Sequence, residues 1–162
     1  MNFKEYLVEV GNSIIKPNLR KIRVHDFGAD YYYKIGDVEF LTSMDLQERE
    51  NDNRIKIDVD FSIIRTDKGR YDLTGAGNPL EVIGQVVWCV DDYLKTFPDH
   101  KELFILSFTG KEESRGDNRR RDIYIKFVER YLNKKKVKYE IKTFGGDVEV
   151  RFEKGTTLDN FK

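Results

Sequence analysis

The chain of 162 residues has one cysteine, three prolines, two histidines and one tryptophan, and each scarcity removes a class of explanation. A single cysteine makes no internal disulfide, so a packed core has to hold the fold, and a chain of this length suits one domain. Neither His25 nor His100 has a cysteine or carboxylate at ligand-like spacing, so no metal site is expected. No apolar run approaches the roughly 18 residues needed to cross a bilayer, and no membrane span is expected. Residues 1–5 lack the basic-then-apolar layout of a secretory leader, which together with the lone cysteine points to the cytoplasm. Gly-x-Ser-x-Gly, Walker-type and Cys-x-x-Cys elements are also missing, and the enzyme classes built on them are set aside. Formal net charge is zero, so no global basic excess argues for nucleic acid.

What the chain does have is bulky apolar material. Hydrophobic residues make up 39%, with eleven Phe and nine Tyr, enough to offset chain entropy despite 36% charge. Residues 1–154 are expected to form one α/β domain and 155–162 a flexible tail.

Phe3, Tyr6, Leu7, Val10 and Ile14 recur at helical spacing, and Gly11 and Pro17 end that helix. Ile22 and Val24, then 31–35, then 38–44 read as two or three antiparallel strands, with Gly36-Asp37 as a two-residue turn and 47–53 as a polar loop. Over 54–64 apolar Ile55, Ile57, Val59, Phe61 and Ile63 alternate with Lys56, Asp58, Asp60 and Ser62, giving a long strand with one polar face. Gly75-Ala76-Gly77 follows as a turn, with Asn78 as N-cap and Pro79 opening an amphipathic helix over 78–97. Residues 103–108 are nearly all apolar and suit a central strand. A second helix is expected over 118–132, and 137–144 and 148–152 form a hairpin around Gly145-Gly146. The order implies a single mixed, mostly antiparallel sheet flanked by helices.

This succession of a meander, a long strand, a glycine turn, a helix, a buried strand, a helix and a hairpin resembles the GNAT superfamily of acyl-coenzyme A N-acyltransferases over residues 20–153. The family's turn reads Gln/Arg-x-x-Gly-x-Gly/Ala; Gly75, Ala76 and Gly77 match its glycines, with Asp72 in the Gln/Arg position. The resemblance implies that Gly75, Ala76, Gly77 and Asn78 meet the pyrophosphate of acetyl-CoA or another acyl-CoA through backbone N–H groups. It also implies that Tyr124, in Asp122-Ile123-Tyr124, assists the departing thiolate, although the family's preceding Asn and Ala positions hold Asp117 and Arg120. The general base for an amine of a small molecule or protein would be Asp58 or Asp60, on the polar face of the long strand. The family fold also occurs without activity, as a catalytically degenerate relative.

Each of these features has a plainer structural reading: a capped helix, a solvated strand face, an aromatic at the rim of a core. Cys89 reads as a core residue, and at least one of Tyr31, Tyr32 and Tyr33 should face the core. The alternative function comes from charge. Residues 115–138 hold ten basic residues against three acidic ones. Arg115, Arg119, Arg120, Arg121, Lys126 and Arg130 would then contact nucleic acid or an acidic protein, as in a non-catalytic accessory factor of a phage or mobile element.

Overall fold

A computed structural model of the chain describes residues 16–48, 54–65, 79–96, 102–108 and 119–162. The helix expected at 3–14 and the glycine turn at 75–78 lie outside the described residues.

Seven strands form one sheet: β1 (Asn18–His25), β2 (Gly28–Ile35), β3 (Val38–Glu48), β4 (Arg54–Arg65), β5 (Glu102–Phe108), β6 (Tyr139–Phe144) and β7 (Asp147–Phe152). Helix α1 (Pro79–Thr96) connects β4 to β5, and α2 (Arg119–Lys135) precedes the last hairpin. The sheet order is β1-β2-β3-β4-β5-β7-β6, and β4 with β5 is the one parallel pair among the described residues. A parallel pair needs a crossover, which α1 supplies; the other neighbours are antiparallel. The chain is therefore a mixed α/β domain with a mostly antiparallel sheet.

Turn chemistry sets the hairpins. Gly36 and Gly145 both adopt φ +58°, the left-handed conformation that two-residue hairpin turns need. Gly28 opens β2 for a different reason: a Cβ there would meet the Met44 carbonyl oxygen at 1.8 Å. Strand β3 runs through Gln47 and Glu48, further than the polar composition of that stretch suggests, because β4 continues the ladder as far as Glu48↔Ile55.

Alternation then decides the core. Tyr31 and Tyr33 of β2, Phe40 and Met44 of β3, and Ile55, Ile57 and Val59 of β4 are buried on one face. Both helices cover that face, with α1 against β2 and β3 and α2 against β7. Cys89 and Leu94 of α1 and Leu132 of α2 are fully buried beneath them.

Three buried tyrosines, Tyr31, Tyr33 and Tyr131, have hydroxyls bonded to side chains of other elements. Tyr31 Oη donates to Asp92 Oδ2 (2.7 Å), tying β2 to α1, and Tyr131 Oη donates to Asp91 Oδ1 (2.8 Å), tying α2 to α1. Tyr33 Oη shares a hydrogen bond of 2.8 Å with Thr42 Oγ1. Burial, reinforced for Tyr31 by Asp92 and for Tyr131 by Asp91, pushes these phenols far above their ordinary range, and burial pushes the Cys89 thiol up as well.

The folded state therefore keeps phenolic protons that the unfolded chain gives up near pH ~10, so this stabilisation is complete below that pH and is lost as pH rises beyond it. Each such tyrosine is expected to contribute a slope of about 1.4 kcal/mol per pH unit to alkaline destabilisation. Urea unfolding of the wild type and of Tyr131→Phe across the alkaline range should show a shallower pH dependence in the variant. Parallel curves would refute a protonated, buried Tyr131.

The end of the chain departs from the expected flexible tail. Residues 155–162 fold back onto the domain and close with a 3₁₀ turn (Leu158–Phe161), in which Leu158 and Phe161 are fully buried. Strand β7 pairs with β5 only over Ile105–Phe108, and the returning chain completes that edge. Leu103 N donates to Thr156 O (2.7 Å), Gly155 N donates to Glu102 Oε1 (2.6 Å), and Thr157 bridges to Glu102.

Candidate functional site

Strand β4 is twelve residues long and β5 seven, and their pairing stops at Val59↔Phe108. Beyond that point β4 continues from Asp60 to Arg65 bonded to β3 alone among the described residues. Backbone groups on the β5 side of this stretch thus lack a described strand partner.

Tyr124 comes from α2 to the end of the described β4–β5 pairing. It is buried, with its ring centroid 5.9 Å from that of Phe61 on β4 and 5.5 Å from that of Phe108 on β5. Both contacts lie on the helix-covered face. Asp58 and Asp60 alternate with Val59 and Phe61 and so occupy the opposite face. The structure brings all three residues to one stretch of β4, but separates the tyrosine from the aspartates by the thickness of the sheet.

The two aspartates differ in surroundings. Asp58 is half-buried; its Oδ2 accepts a bond from Gln47 Nε2 (2.6 Å) and its Oδ1 lies 3.4 Å from Lys56 Nζ. Asp60 is exposed, has no partner among the described residues, and sits one position past the last β4–β5 pair. Gly75, Ala76, Gly77 and Asn78 lie outside the described residues; α1 begins directly after them at Pro79.

The basic stretch is divided among several roles. Arg115 is outside the described residues, and Arg119 and Arg120 are placed only as the first backbone positions of α2. Arg121 Nη1 donates to the Gly145 carbonyl (3.2 Å), fastening α2 to the β6–β7 turn. Lys126, Lys136 and Lys138 are exposed and Arg130 is half-buried. Lys135 turns inward: its Nζ lies 3.2 Å from Asp91 Oδ1 and donates to the Phe161 carbonyl (2.9 Å).

That last contact belongs to a cluster unforeseen in the sequence. Asp91 is 7% exposed and receives Tyr131, Lys135 and, at 2.7 Å, Lys95. The hydrogen bond to Asp91 raises Lys95 above the ordinary lysine range, so this lysine stays charged throughout the neutral range. The signal was an aspartate pair, Asp91-Asp92, inside the apolar stretch of a helix. Such a pair has to find partners, and here Asp91 binds sideways to α2 while Asp92 binds down to the sheet.

No group of metal-ligating side chains occurs among the described residues, and none of the described helices is long and apolar enough to cross a membrane. No protein-family model matches the chain, nor does any curated protein or solved structure.

Proposed function

We propose that the chain is a GNAT-like domain that binds an acyl-coenzyme A along β4 beyond its last pair with β5. The observation that supports this is the sheet itself. Among the described residues a single parallel pair, joined through α1, lies in an otherwise antiparallel sheet, and beyond Val59↔Phe108 β4 has no described partner on its β5 side, beside a buried tyrosine. An extended arm bearing amides, such as the pantetheine of coenzyme A, suits that stretch because it supplies ladder partners to the backbone of β4 beyond Val59. The pyrophosphate would then meet the backbone at 75–78, ahead of the positive end of α1.

In an acyl transfer at this place an amine attacks the thioester carbonyl, loses a proton and expels the thiolate. Asp60, exposed one position past the last β4–β5 pair, is the better placed of the two carboxylates to take that proton. Tyr124, on the other face, is placed to give a proton to the thiolate. The same fold without turnover would bind the coenzyme as a module.

Thermal unfolding with millimolar coenzyme A tests the proposal. Saturation at about a hundred times the dissociation constant is expected to stabilise the protein by about 2.7 kcal/mol. Tyr124→Phe should retain that shift while slowing thiol release from acetyl-CoA with an amine acceptor about a hundredfold. No shift at millimolar coenzyme would end the proposal, and a shift without thiol release from a broad amine panel would favour the binding module.

A further inference from the structure

Strand β1 closes one side of the sheet and has a composition unlike the rest of it. It reads Asn-Leu-Arg-Lys-Ile-Arg-Val-His, with four basic side chains and no acidic one, in a chain whose formal charge is zero. One row of its peptide groups bonds to β2, and the other faces outward with no described strand beside it.

Its side chains sort by face. Ile22 and Val24 stand opposite Tyr31 and Ala29, on the helix-bearing face, yet are 42% and 72% exposed, while α1 packs over β2 and β3. Phe27, in the turn that follows, is also exposed, at 68%. On the other face Lys21 and Arg23 are exposed and have no salt-bridge partner among the described residues. Arg23 stands opposite Asp30, but the Asp30 carboxylate accepts Ser43 Oγ (2.8 Å) and lies 3.7 Å from His25. Arg20 is already paired with Glu39.

An edge with open peptide groups and an apolar strip invites another strand, and cations on such an edge decide which strand is accepted. A second copy of β1 is refused. In the antiparallel registers that align Ile22 with itself or with Val24, Lys21 falls opposite Arg23 or Arg23 opposite its own copy, and like charges directly across a ladder repel. The same cations attract a strand that alternates apolar and acidic residues.

We propose that the outer edge of β1, unpaired among the described residues, docks an extended acidic segment of another protein, which joins the sheet through main-chain hydrogen bonds. Its apolar residues cover Ile22, Val24 and Phe27, and its carboxylates pair with Lys21 and Arg23. This surface is independent of the acyl-coenzyme A proposal, because it lies across β2 and β3 from β4.

The probe is a blocked octapeptide of alternating glutamate and valine, matched to the eight residues of β1. Controls are the lysine–valine counterpart and a peptide of the same composition with its glutamates and valines in separate blocks. Calorimetric titration should show saturable binding of the alternating acidic peptide that weakens with added salt, with amide exchange slowed along β1. Lys21→Glu combined with Arg23→Glu should leave the unfolding temperature unchanged, since both side chains are exposed, and weaken binding about tenfold or more. The proposal is overturned if the acidic peptide does not bind at millimolar concentration, if the lysine–valine or blocked peptide binds as well, or if the charge reversals leave affinity intact. Dimerisation of the wild-type chain that Val24→Lys abolishes would also overturn it, by giving the edge to a second copy.

Discussion

Asp91→Ala is expected to lower the free energy of unfolding by about 3 kcal/mol, because it leaves two ammonium groups and a buried phenol without their common acceptor. Asp91 has an 11% exposed side chain, and Lys135 is 18% exposed, so these two charges meet largely out of water. Lys95 is 44% exposed and its contact is screened, which is why the expected loss stays at the lower end of what breaking a buried pair costs. Three elements depend on this carboxylate. Tyr131 and Lys135 bring α2 to it, and the same Lys135 ammonium holds the carbonyl of Phe161 in the terminal turn. Asp91→Asn keeps an acceptor for Tyr131 but not the countercharge, and should fall between wild type and alanine. Adding Lys135→Met to Asp91→Leu should recover much of the loss, since apolar replacement of a whole buried pair is often neutral. Urea midpoints at neutral pH measure all four proteins; a change below about 0.5 kcal/mol for Asp91→Ala would place it among ordinary surface substitutions and refute the weld.

The same cluster shows where sequence patterns stop informing. Strand β4 was legible because Ile55, Ile57 and Val59 alternate with polar residues, and α1 because its apolar residues repeat with a helical period behind Pro79. Each is a local signal, carried by neighbours along the chain. The Asp91–Tyr131 bond spans forty residues, and nothing near either residue names the other. Alternation in β1 likewise gave Ile22 and Val24 a common face without saying that both would stay exposed on it.

The candidate site divides in the same way. Asp58, Asp60 and Tyr124 stood out one by one, from strand period and from motif position. Their separation to opposite faces depends on which face α2 covers, and its docking against Phe61 and Phe108 is a tertiary fact. The engagement of Asp58 depends on Gln47, which belonged to a stretch that read as loop and is strand, while Asp60 is exposed and without a partner among the described residues.

Phe161→Ala is expected to destabilise the domain by about 3–5 kcal/mol, the cost of deleting a buried aromatic side chain from a packed core. The short run from Gly155 onward has too few apolar residues to suggest a packed element, but both of its large ones are used. Phe161 is fully buried, stacked 6.4 Å from Tyr131 of α2 and edge-on 5.7 Å from Phe152 of β7, while Leu158 is also fully buried. An alanine there opens a cavity between a helix and a strand that a four-residue turn is too short to refill. The backbone consequence reaches further, since the same segment supplies Thr156 O to Leu103 N at the start of β5, a strand of the central parallel pair. Ending the chain after Glu153 should therefore cost at least as much as Phe161→Ala and also speed amide exchange at Leu103. Phe161→Leu, which keeps most of the volume, should lose less than half of what alanine loses. Denaturant unfolding with residue-resolved exchange separates the two contributions: a truncated chain as stable as wild type, or Leu103 exchange that does not respond to it, would show that the terminal turn rests on the domain without supporting it.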